Sequence, residues 1–232
     1  SIKVDRDQAA KYLIFTTRNG IVKRTSTSQF SNIRTNGLKA LKLRDGDELI
    51  NVLRTSGEDE VIIGTHLGYS VRFKGAVVRD MGRAAAGVKG VNLREGDYVV
   101  GTSRIDDSQE VLVISENGLG KRTQASEYPT KGRGGKGMKV MNVTERTGKL
   151  AGLTAVNGDE DLMVITDTGV IIRRNVANIS QTGRAAQGVK VMRLDDEAHS
   201  VTFARADPAI EDQEVGASEL TDETISTDNH EE

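Results

Sequence analysis

Short apolar runs recur along the chain, and each is followed by a tight turn and then by a run rich in Lys and Arg. The first apolar run of each unit is rich in Val, Ile and Leu and has the length of a β-strand. A second run follows the turn at once, as in residues 21–24 and 170–174. No segment carries a long helical period, so the pattern predicts an all-β protein. The predicted first strands are residues 12–17, 61–65, 111–115 and 162–166.

Two series of glycines give this pattern a nearly constant period. The turn series is Gly20, Gly68, Gly118 and Gly169, at intervals of 48, 50 and 51 residues. The second series is Gly37, Gly87, Gly137 and Gly188, at intervals of 50, 50 and 51 residues. Asn19-Gly20 and Asn117-Gly118 are dipeptides favoured in type I′ hairpins, where both central residues have positive φ. The chain is therefore predicted to be an internal repeat, with a tight hairpin in each unit.

Each unit is predicted to contain four strands. The third strand follows the second glycine, in residues 38–43, 88–93, 138–143 and 189–194, and an acidic turn such as Asp45-Gly46-Asp47 leads to the fourth. Units of about 50 residues with four strands are typical of propeller blades stacked around an axis. The sequence thus predicts a propeller-like fold of about four four-stranded blades, in residues 11–57, 58–109, 110–159 and 160–207. The start at Ser1 and the polar lead of residues 1–10 favour a fragment of a larger ring.

The charge is distributed unevenly along the chain. The 232 residues carry a net charge of −2, yet residues 208–232 hold nine acidic residues and neither Lys nor Arg. Removing these nine from the 34 acidic residues leaves 25 against 32 basic residues, a net charge of +7 for residues 1–207. We expect the acidic tail, residues 208–232, to be disordered because it has too few apolar residues to build a core. It could be a solubilising terminus, or it could compete with a polyanion for the basic body.

The composition excludes several classes of protein and site. The chain has no Cys, so it has no disulfide framework and no thiolate zinc site, which fits a reducing cytoplasm. No apolar stretch approaches the roughly 20 residues of a membrane helix. The three His residues share no ligand spacing, and no grouping of nucleophile, base or metal ligands indicates a catalytic site. We expect neither a metal nor a cofactor in this segment.

Basic residues repeat at three fixed places in each unit. The first place, four residues after the turn glycine, holds Arg24, Arg72, Arg122 and Arg173, with Lys23, Lys121 and Arg174 beside them. The second, in the loop before the third strand, holds Arg34, Arg83, Arg133 and Arg184. The third, two residues after the second glycine, holds Lys39, Lys89, Lys139 and Lys190. Repeating blades place equivalent positions on one rim, so the sequence predicts a rim of positive charge.

Such a rim suits a bent polyanion. Charged residues on exposed strands can also serve only to discourage edge pairing, but that role does not require the same sign at the same place in every repeat. Lys and Arg that contact phosphates supply affinity and register without reading sequence, as in wrapped DNA. Aromatic residues make up only 3% of the chain, which argues against binding of single strands by base stacking. We therefore predict that the basic residues bind duplex DNA.

The lysine after the second glycine raises a question of strand geometry. It shares the parity of apolar residues two and four places later, such as Val91 and Leu93 after Lys89. Either a β-bulge intervenes, or the lysine reaches past the core at the start of the strand. The sequence leaves both alternatives open.

A glycine-rich basic loop, K-G-R-G-G-K-G, comprises Lys131, Gly132, Arg133, Gly134, Gly135, Lys136 and Gly137. Gly132, Gly134 and Gly137 formally match G-x-G-x-x-G, but a dinucleotide site requires a strand before the motif and a helix after it. The loop is not a P-loop either, because Gly137 follows Lys136 where Ser or Thr is required. We predict a flexible loop whose amides and cations approach phosphates, with an ordinary interblade connection as the alternative.

At these residues the sequence resembles the C-terminal domain of DNA gyrase A subunits, over nearly all of residues 8–207. The matching strings include N-G-I-V-K-R-T at 19–25, D-G-D-E-L-I at 45–50, G-K-R-T at 120–123, E-Y-P-T-K at 127–131, V-T-E-R at 143–146, V-I-T-D-T-G at 164–169 and Q-G-V-K at 187–190. Strings of this length in family order are far more specific than a short motif.

The resemblance implies a β-pinwheel, a propeller-like disc that wraps duplex DNA around its rim. It further implies a role in ATP-dependent negative supercoiling by a bacterial type II topoisomerase of the cytoplasm and nucleoid, without membrane association. The implied partners are the rest of gyrase A and gyrase B in an A2B2 complex, and the parent enzyme would use ATP and Mg²⁺. The family's domain typically has six blades, of which these resemble the last four. The catalytic tyrosine belongs to another region of the gyrase A chain, so this fragment is expected to be noncatalytic.

One departure from the family concerns its diagnostic box, Q-R-R-G-G-K-G, which lies in the first blade. The loop at 131–137 has Lys131 and Gly132 in place of Gln and Arg and lies in a late blade, so the role of the box in supercoiling is not transferred to it. The closest rival interpretation is the C-terminal domain of the topoisomerase IV A subunit, which shares the blade repeat but normally lacks the box. A protein-interaction propeller without a DNA role is the other alternative, and it should expose apolar or aromatic anchors.

Overall fold

A computed structural model describes residues 10–32, 37–192 and 200–206, the last of these as backbone only. The predicted acidic tail and most of the predicted lead lie outside these residues. Within them the chain forms fifteen β-strands and four short 3₁₀ turns, the turns being Thr27–Phe30, Gly75–Val77, Ala125–Glu127 and Val176–Asn178. The strands of the first half are β1 (Tyr12–Thr17), β2 (Ile21–Ser26), β3 (Leu49–Thr55), β4 (Glu60–Thr65), β5 (Tyr69–Lys74), β6 (Val88–Lys89) and β7 (Val99–Ile105). Those of the second half are β8 (Glu110–Ser115), β9 (Leu119–Gln124), β10 (Met138–Lys139), β11 (Leu150–Val156), β12 (Asp161–Thr166), β13 (Ile171–Asn175), β14 (Val189–Lys190) and β15 (Ser200–Ala206).

The strands form four antiparallel sheets, one for each predicted blade. Three sheets have four strands, in the orders β3-β1-β2-β6, β7-β4-β5-β10 and β11-β8-β9-β14. The fourth, in the described part of the chain, has the three strands β15-β12-β13. Strands β3, β7, β11 and β15 contact one another in succession, so they form the inner edge of the arrangement, and β6, β10 and β14 form the outer edge. The all-β, propeller-like prediction is confirmed, with one strand fewer in the last sheet.

The outer strand of each four-stranded sheet comes from the following repeat, which the sequence did not predict. Lys89 of the second repeat pairs with Ile21 of the first, and Lys139 of the third pairs with Tyr69 of the second. The predicted third strands therefore belong to the neighbouring blade, and each is two residues long instead of six. Residues 38–43, the predicted third strand of the first repeat, form no strand. Each of the three four-stranded sheets is thus completed by a strand of the following repeat.

The hydrophobic core lies between neighbouring sheets. Alternate residues of a central strand point to opposite faces, and both faces of β4 are covered. Val61 and Ile63 pack against Ile14 and Val22 of the first sheet, whereas Ile62 packs against the third sheet. The same alternation places Leu112 and Ile114 of β8 in a cluster with the fourth sheet. The second sheet thus buries one apolar face against the sheet before it and the other against the sheet after it.

The hairpins differ from the predicted type I′ turns. The amide of Gly20 donates to the carbonyl of Thr17 at 3.0 Å, which closes a three-residue loop between β1 and β2. Among the described residues only glycines have positive φ, so Asn19 and Asn117 do not adopt the conformation that type I′ requires. A type I turn followed by a glycine with positive φ is the common three-residue solution. The glycine series was predicted correctly, and the turn type was wrong.

A β-bulge answers the question of lysine parity. The amides of Gly90 and Val91 both donate to the carbonyl of Gly20, at 2.8 and 3.3 Å. Val191 and Met192 share the carbonyl of Gly118 in the same way, at 2.9 and 3.4 Å. Two residues therefore face one, and the strict alternation of faces ends directly after the lysine. The lysine points outward although the residues after it are buried.

Candidate nucleic-acid interface

The outer strands carry one predicted lysine each to the outer edge of the arrangement. Lys89, Lys139 and Lys190 are the last residues of β6, β10 and β14, and all three are exposed. Each of these strands follows a glycine of the second series that lies against the backbone of the preceding repeat. A Cβ on Gly137 would lie 2.6 Å from the Ser70 carbonyl oxygen, and one on Gly188 would lie 2.6 Å from that of Gly120. The close approach and the positive φ of these glycines explain why the position is glycine.

An arginine from the following repeat joins each of two outer lysines. Nη1 of Arg133 donates to the carbonyl of Lys89 at 3.0 Å, and Nη1 of Arg184 donates to the carbonyl of Lys139 at 3.0 Å. No carboxylate among the described residues forms a salt bridge with any of these four side chains. Each guanidinium is thus held at the backbone of a lysine of the preceding repeat, at the same place in two successive repeats. We call Lys89, Arg133, Lys139, Arg184 and Lys190 the rim cations.

The remaining predicted loop and edge cations lie in different environments. Lys39, Lys131, Lys136 and Arg174 are exposed, and Arg83 is half-buried. Arg34 lies outside the described residues.

The second-strand arginines occupy a different environment from the rim cations. Nη2 of Arg72 forms salt bridges of 2.6 Å with Glu60 and 2.9 Å with Asp107, and its side chain is 4% exposed. Its Nη1 donates to the carbonyls of Ala125 and Tyr128, at 2.8 and 3.2 Å, in the next repeat. Arg72 therefore joins two blades, and its placement does not support the predicted phosphate contact.

Equivalent arginines repeat this arrangement. Arg122 pairs with Glu110 and donates to the carbonyls of Ile179 and Ala177 in the fourth repeat. Arg173 pairs with Asp161 at 2.6 Å and remains exposed. In the first repeat the residue equivalent to these acids is Tyr12, since Tyr12 pairs with Ser26 as Glu60 pairs with Lys74. The guanidinium of Arg24 accordingly lies over the Tyr12 ring, 4.4 Å from its centroid.

Two of the predicted rim lysines are buried. The side chains of Lys23 and Lys121 have no exposed surface. Nζ of Lys23 donates to the carbonyls of Ala40 and Arg83, at 2.6 and 2.7 Å, and Nζ of Lys121 donates to those of Gly183 and Arg184. Burial lowers the pKa of each amine to about 8. Neither lysine offers a surface to a phosphate in this structure, so their predicted DNA contact lacks support.

The glycine-rich loop is docked on the preceding repeat. The amide of Lys131 donates to the Arg72 carbonyl at 2.8 Å, and that of Gly134 donates to the Gly90 carbonyl at 2.6 Å. In the other direction, the carbonyl of Lys136 accepts from Nη1 of Arg94 at 2.6 Å. The loop is therefore anchored by several hydrogen bonds, unlike the flexible segment predicted, while its cations remain exposed.

Known proteins share this repeat. The family described as DNA gyrase C-terminal domain, beta-propeller, matches residues 11–56, 59–106, 109–157 and 160–206. The chain belongs to this family. It is 71% identical over 202 residues to the DNA gyrase A subunit of Streptococcus pyogenes serotype M3, which covers 87% of the chain and 24% of that relative. It is 46% identical over 229 residues to the DNA gyrase A subunit of Staphylococcus aureus, covering 98% of the chain and 26% of that relative. The chain thus spans about a quarter of the length of these relatives.

Solved structures show the same fold for this gyrase-family chain. It superposes on a DNA gyrase A C-terminal domain with a TM-score of 0.77 and 26% identity, covering 88% of the chain and 68% of that structure. It superposes on the C-terminal domain of a DNA topoisomerase IV with a TM-score of 0.81 and 25% identity, covering 88% of the chain and 64% of that structure. The fold is common to both enzymes, whereas the high sequence identities are with gyrase A subunits. The topoisomerase IV alternative is therefore not the better supported one.

Sequence reasoning missed the partners that decide which cations of the gyrase-family domain are accessible. Glu60, Glu110 and Asp161 begin the first strands of three repeats, and their period could have revealed them as partners of the second-strand arginines. Arg94 was also missed. It lies 3.4 Å from the centroid of the Tyr69 ring while it holds the glycine-rich loop, and no motif pointed to that contact.

Within the described residues no group of three or more His, Asp or Glu side chains is placed to hold a metal ion. Those residues also include no helix long and apolar enough to cross a membrane.

Proposed function

We propose that the outer edge of this domain binds duplex DNA and wraps it, with the rim cations as the main phosphate contacts. The observation that carries this proposal is the placement of Arg133 beside Lys89 and of Arg184 beside Lys139, with no salt-bridging carboxylate among the described residues. Cations on one edge that form no salt bridge with a carboxylate attract phosphates electrostatically. Their spacing by one blade gives the contacts a repeat along a curved path. Phosphate contacts of this kind fix the register of DNA without reading its sequence.

Duplex DNA is a better fit than a single strand. Single-strand binding uses exposed aromatic side chains on which bases stack. Phe15, Phe73 and Tyr128 are buried here. Tyr12 and Tyr69 already lie against Arg24 and Arg94. The described surface therefore favours backbone contact over base stacking.

The role of the parent enzyme is also a proposal. We infer that this domain belongs to gyrase A, acts with gyrase B in an A2B2 complex in the bacterial cytoplasm and nucleoid, and presents wrapped DNA for ATP-dependent negative supercoiling. ATP, Mg²⁺ and the catalytic tyrosine would act in the rest of that enzyme.

Measurement of DNA affinity against salt concentration tests the proposal. If about eight phosphates are neutralised, the slope of log affinity against log salt should be near −7. The 232-residue chain and a Lys89→Ala/Lys139→Ala/Lys190→Ala variant would be titrated with a duplex of mixed sequence. We expect the variant to bind more weakly and with a shallower slope. Weak binding with a flat salt response in the unmodified chain would refute the proposed contact.

A further inference from the structure

One position of the second strand alternates in character from repeat to repeat. Three residues after the turn glycine stand Lys23, Val71, Lys121 and Ile172 in succession. Both lysines are fully buried, which is rare for lysine unless its charge is satisfied. The contacts between repeats one and two and between repeats three and four contain a buried ammonium, whereas the contact between repeats two and three does not. The same chain therefore provides an internal comparison.

Each buried ammonium binds the loop of the following repeat at the carbonyl of its arginine, which is Arg184 of the rim for Lys121 and the half-buried Arg83 for Lys23. Lys121 donates to the carbonyls of Gly183 and Arg184, and Lys23 donates to the carbonyl of Arg83. The side chain of Arg184 then extends from this fixed backbone to the carbonyl of Lys139. Hydrogen bonds from a charged donor are roughly twice as strong as neutral ones. Lys121 therefore fixes the backbone from which a rim cation extends.

The loops that face the two kinds of residue also differ in sequence. The loops bound by lysine read G-R-A-A-A-G at 82–87 and G-R-A-A-Q-G at 183–188, whereas the loop facing Val71 reads G-R-G-G-K-G at 132–137. The loop at 132–137 and Val71 line a cavity of about 260 Å³, together with residues that include Pro129. The loop at 132–137 is held by Arg94, whose Nη1 donates to the carbonyl of Lys136 at 2.6 Å. The two loops bound by a buried lysine thus share a sequence pattern, and the loop that faces Val71 differs from them in both its sequence and the residue that holds it.

We propose that Lys23 and Lys121 are positioning residues for DNA wrapping: each fixes the arginine loop of the next repeat and so presents Arg83 or Arg184 to a phosphate. This inference rests on the proposed function. Neither lysine contacts DNA itself. Each lysine affects binding only through the arginine whose loop it fixes. Substitution of the lysine and substitution of that arginine should therefore have non-additive effects on DNA binding.

A double-mutant cycle on DNA binding tests this coupling. The variants are Lys121→Met, Arg184→Ala and the double variant. Methionine has an unbranched side chain of similar length to lysine but carries no charge. We expect each single substitution to reduce the magnitude of the salt slope by about 1. The pair should be no worse than Arg184→Ala alone. The matched control combines Lys121→Met with Arg83→Ala, whose loop is bound by Lys23, and there the two effects should add. Full additivity of Lys121→Met with Arg184→Ala would overturn the proposal.

Hydrogen exchange without DNA separates this proposal from the proposed function. In Lys121→Met the amides of residues 183–188 should lose protection, while those of residues 132–137 keep theirs. Equal loss in both loops indicates general destabilisation, and no loss indicates no anchoring, so either result overturns the positioning role. If Arg184→Ala leaves DNA affinity unchanged, the proposed function of this part of the rim fails, while the exchange result still decides whether Lys121 holds the loop. Lys23→Met with Arg83→Ala repeats the cycle at the other loop if Lys121→Met does not fold.

Discussion

Arg72 of the second strand and Lys139 of the rim are both basic residues at repeated positions, but they lie in opposite environments. Arg72 is 4% exposed and pairs with two carboxylates, whereas Lys139 is exposed and has none among the described residues. The difference comes from the neighbours in the fold. The Glu or Asp that begins a first strand pairs with the second-strand arginine, whereas no carboxylate of the described residues forms a salt bridge with Lys139 at the end of β10. A basic residue that recurs in every repeat can therefore form a contact between blades, which we call a joint, or it can lie on a binding surface.

The largest expected effect is on stability. Arg72→Ala should lower the free energy of unfolding by about 3–5 kcal/mol, because it leaves Glu60 and two backbone carbonyls of the next repeat without their buried partner. Urea denaturation would measure the change. The matched control is Lys139→Ala, which should change stability by no more than about 0.5 kcal/mol. Similar losses for the two variants would remove the distinction between joint and rim.

A smaller effect is expected at the glycines that bring the outer strands into place. Gly188→Ala should destabilise the fold by about 1–3 kcal/mol, since φ is +82° and the new Cβ would meet the Gly120 carbonyl oxygen at 2.6 Å. Gly169→Ala is the matched control, because its φ is also +82° but no atom lies within 4 Å of the new Cβ. The excess cost at Gly188 measures the close approach that places Lys190 on the rim. Equal thermal shifts at the two sites would contradict this account of the outer strand.

The strands and the period could be predicted from the sequence because they depend on local patterns. The first strand of each unit is a short apolar run, and the turn glycines need positive φ wherever they occur. The exchange of the outer strand could not be predicted, since Val88 and Lys89 have the same pattern whichever blade they join. The burial of Lys23 was equally hidden, because its carbonyl partner at Arg83 lies 60 residues away. The accessibility of a charge depends on such long-range partners.

A pH-dependent effect separates the buried lysines from the exposed ones. Burial lowers the pKa of Lys23 and Lys121 to about 8, below the value of about 10.4 for lysine in an unfolded chain. Between pH 8 and 10 the unfolded chain therefore binds more protons at these two residues, and their contribution makes the free energy of unfolding rise with pH. Lys23→Met/Lys121→Met should remove this part of the rise in urea denaturation. The control is Lys89→Met/Lys139→Met, and an equal flattening in the control pair would contradict the assignment.

The central claim is that the rim holds DNA on a curved path, and the linking number of closed circular DNA tests it most directly. Plasmid would be relaxed by a type I topoisomerase in the presence of the 232-residue chain, freed of protein and separated by gel electrophoresis. We predict a shift in the topoisomer distribution that grows with protein concentration and that is reduced in Lys89→Ala/Lys139→Ala/Lys190→Ala. A distribution unchanged from that of free plasmid, at protein concentrations that saturate binding, would contradict wrapping at this rim.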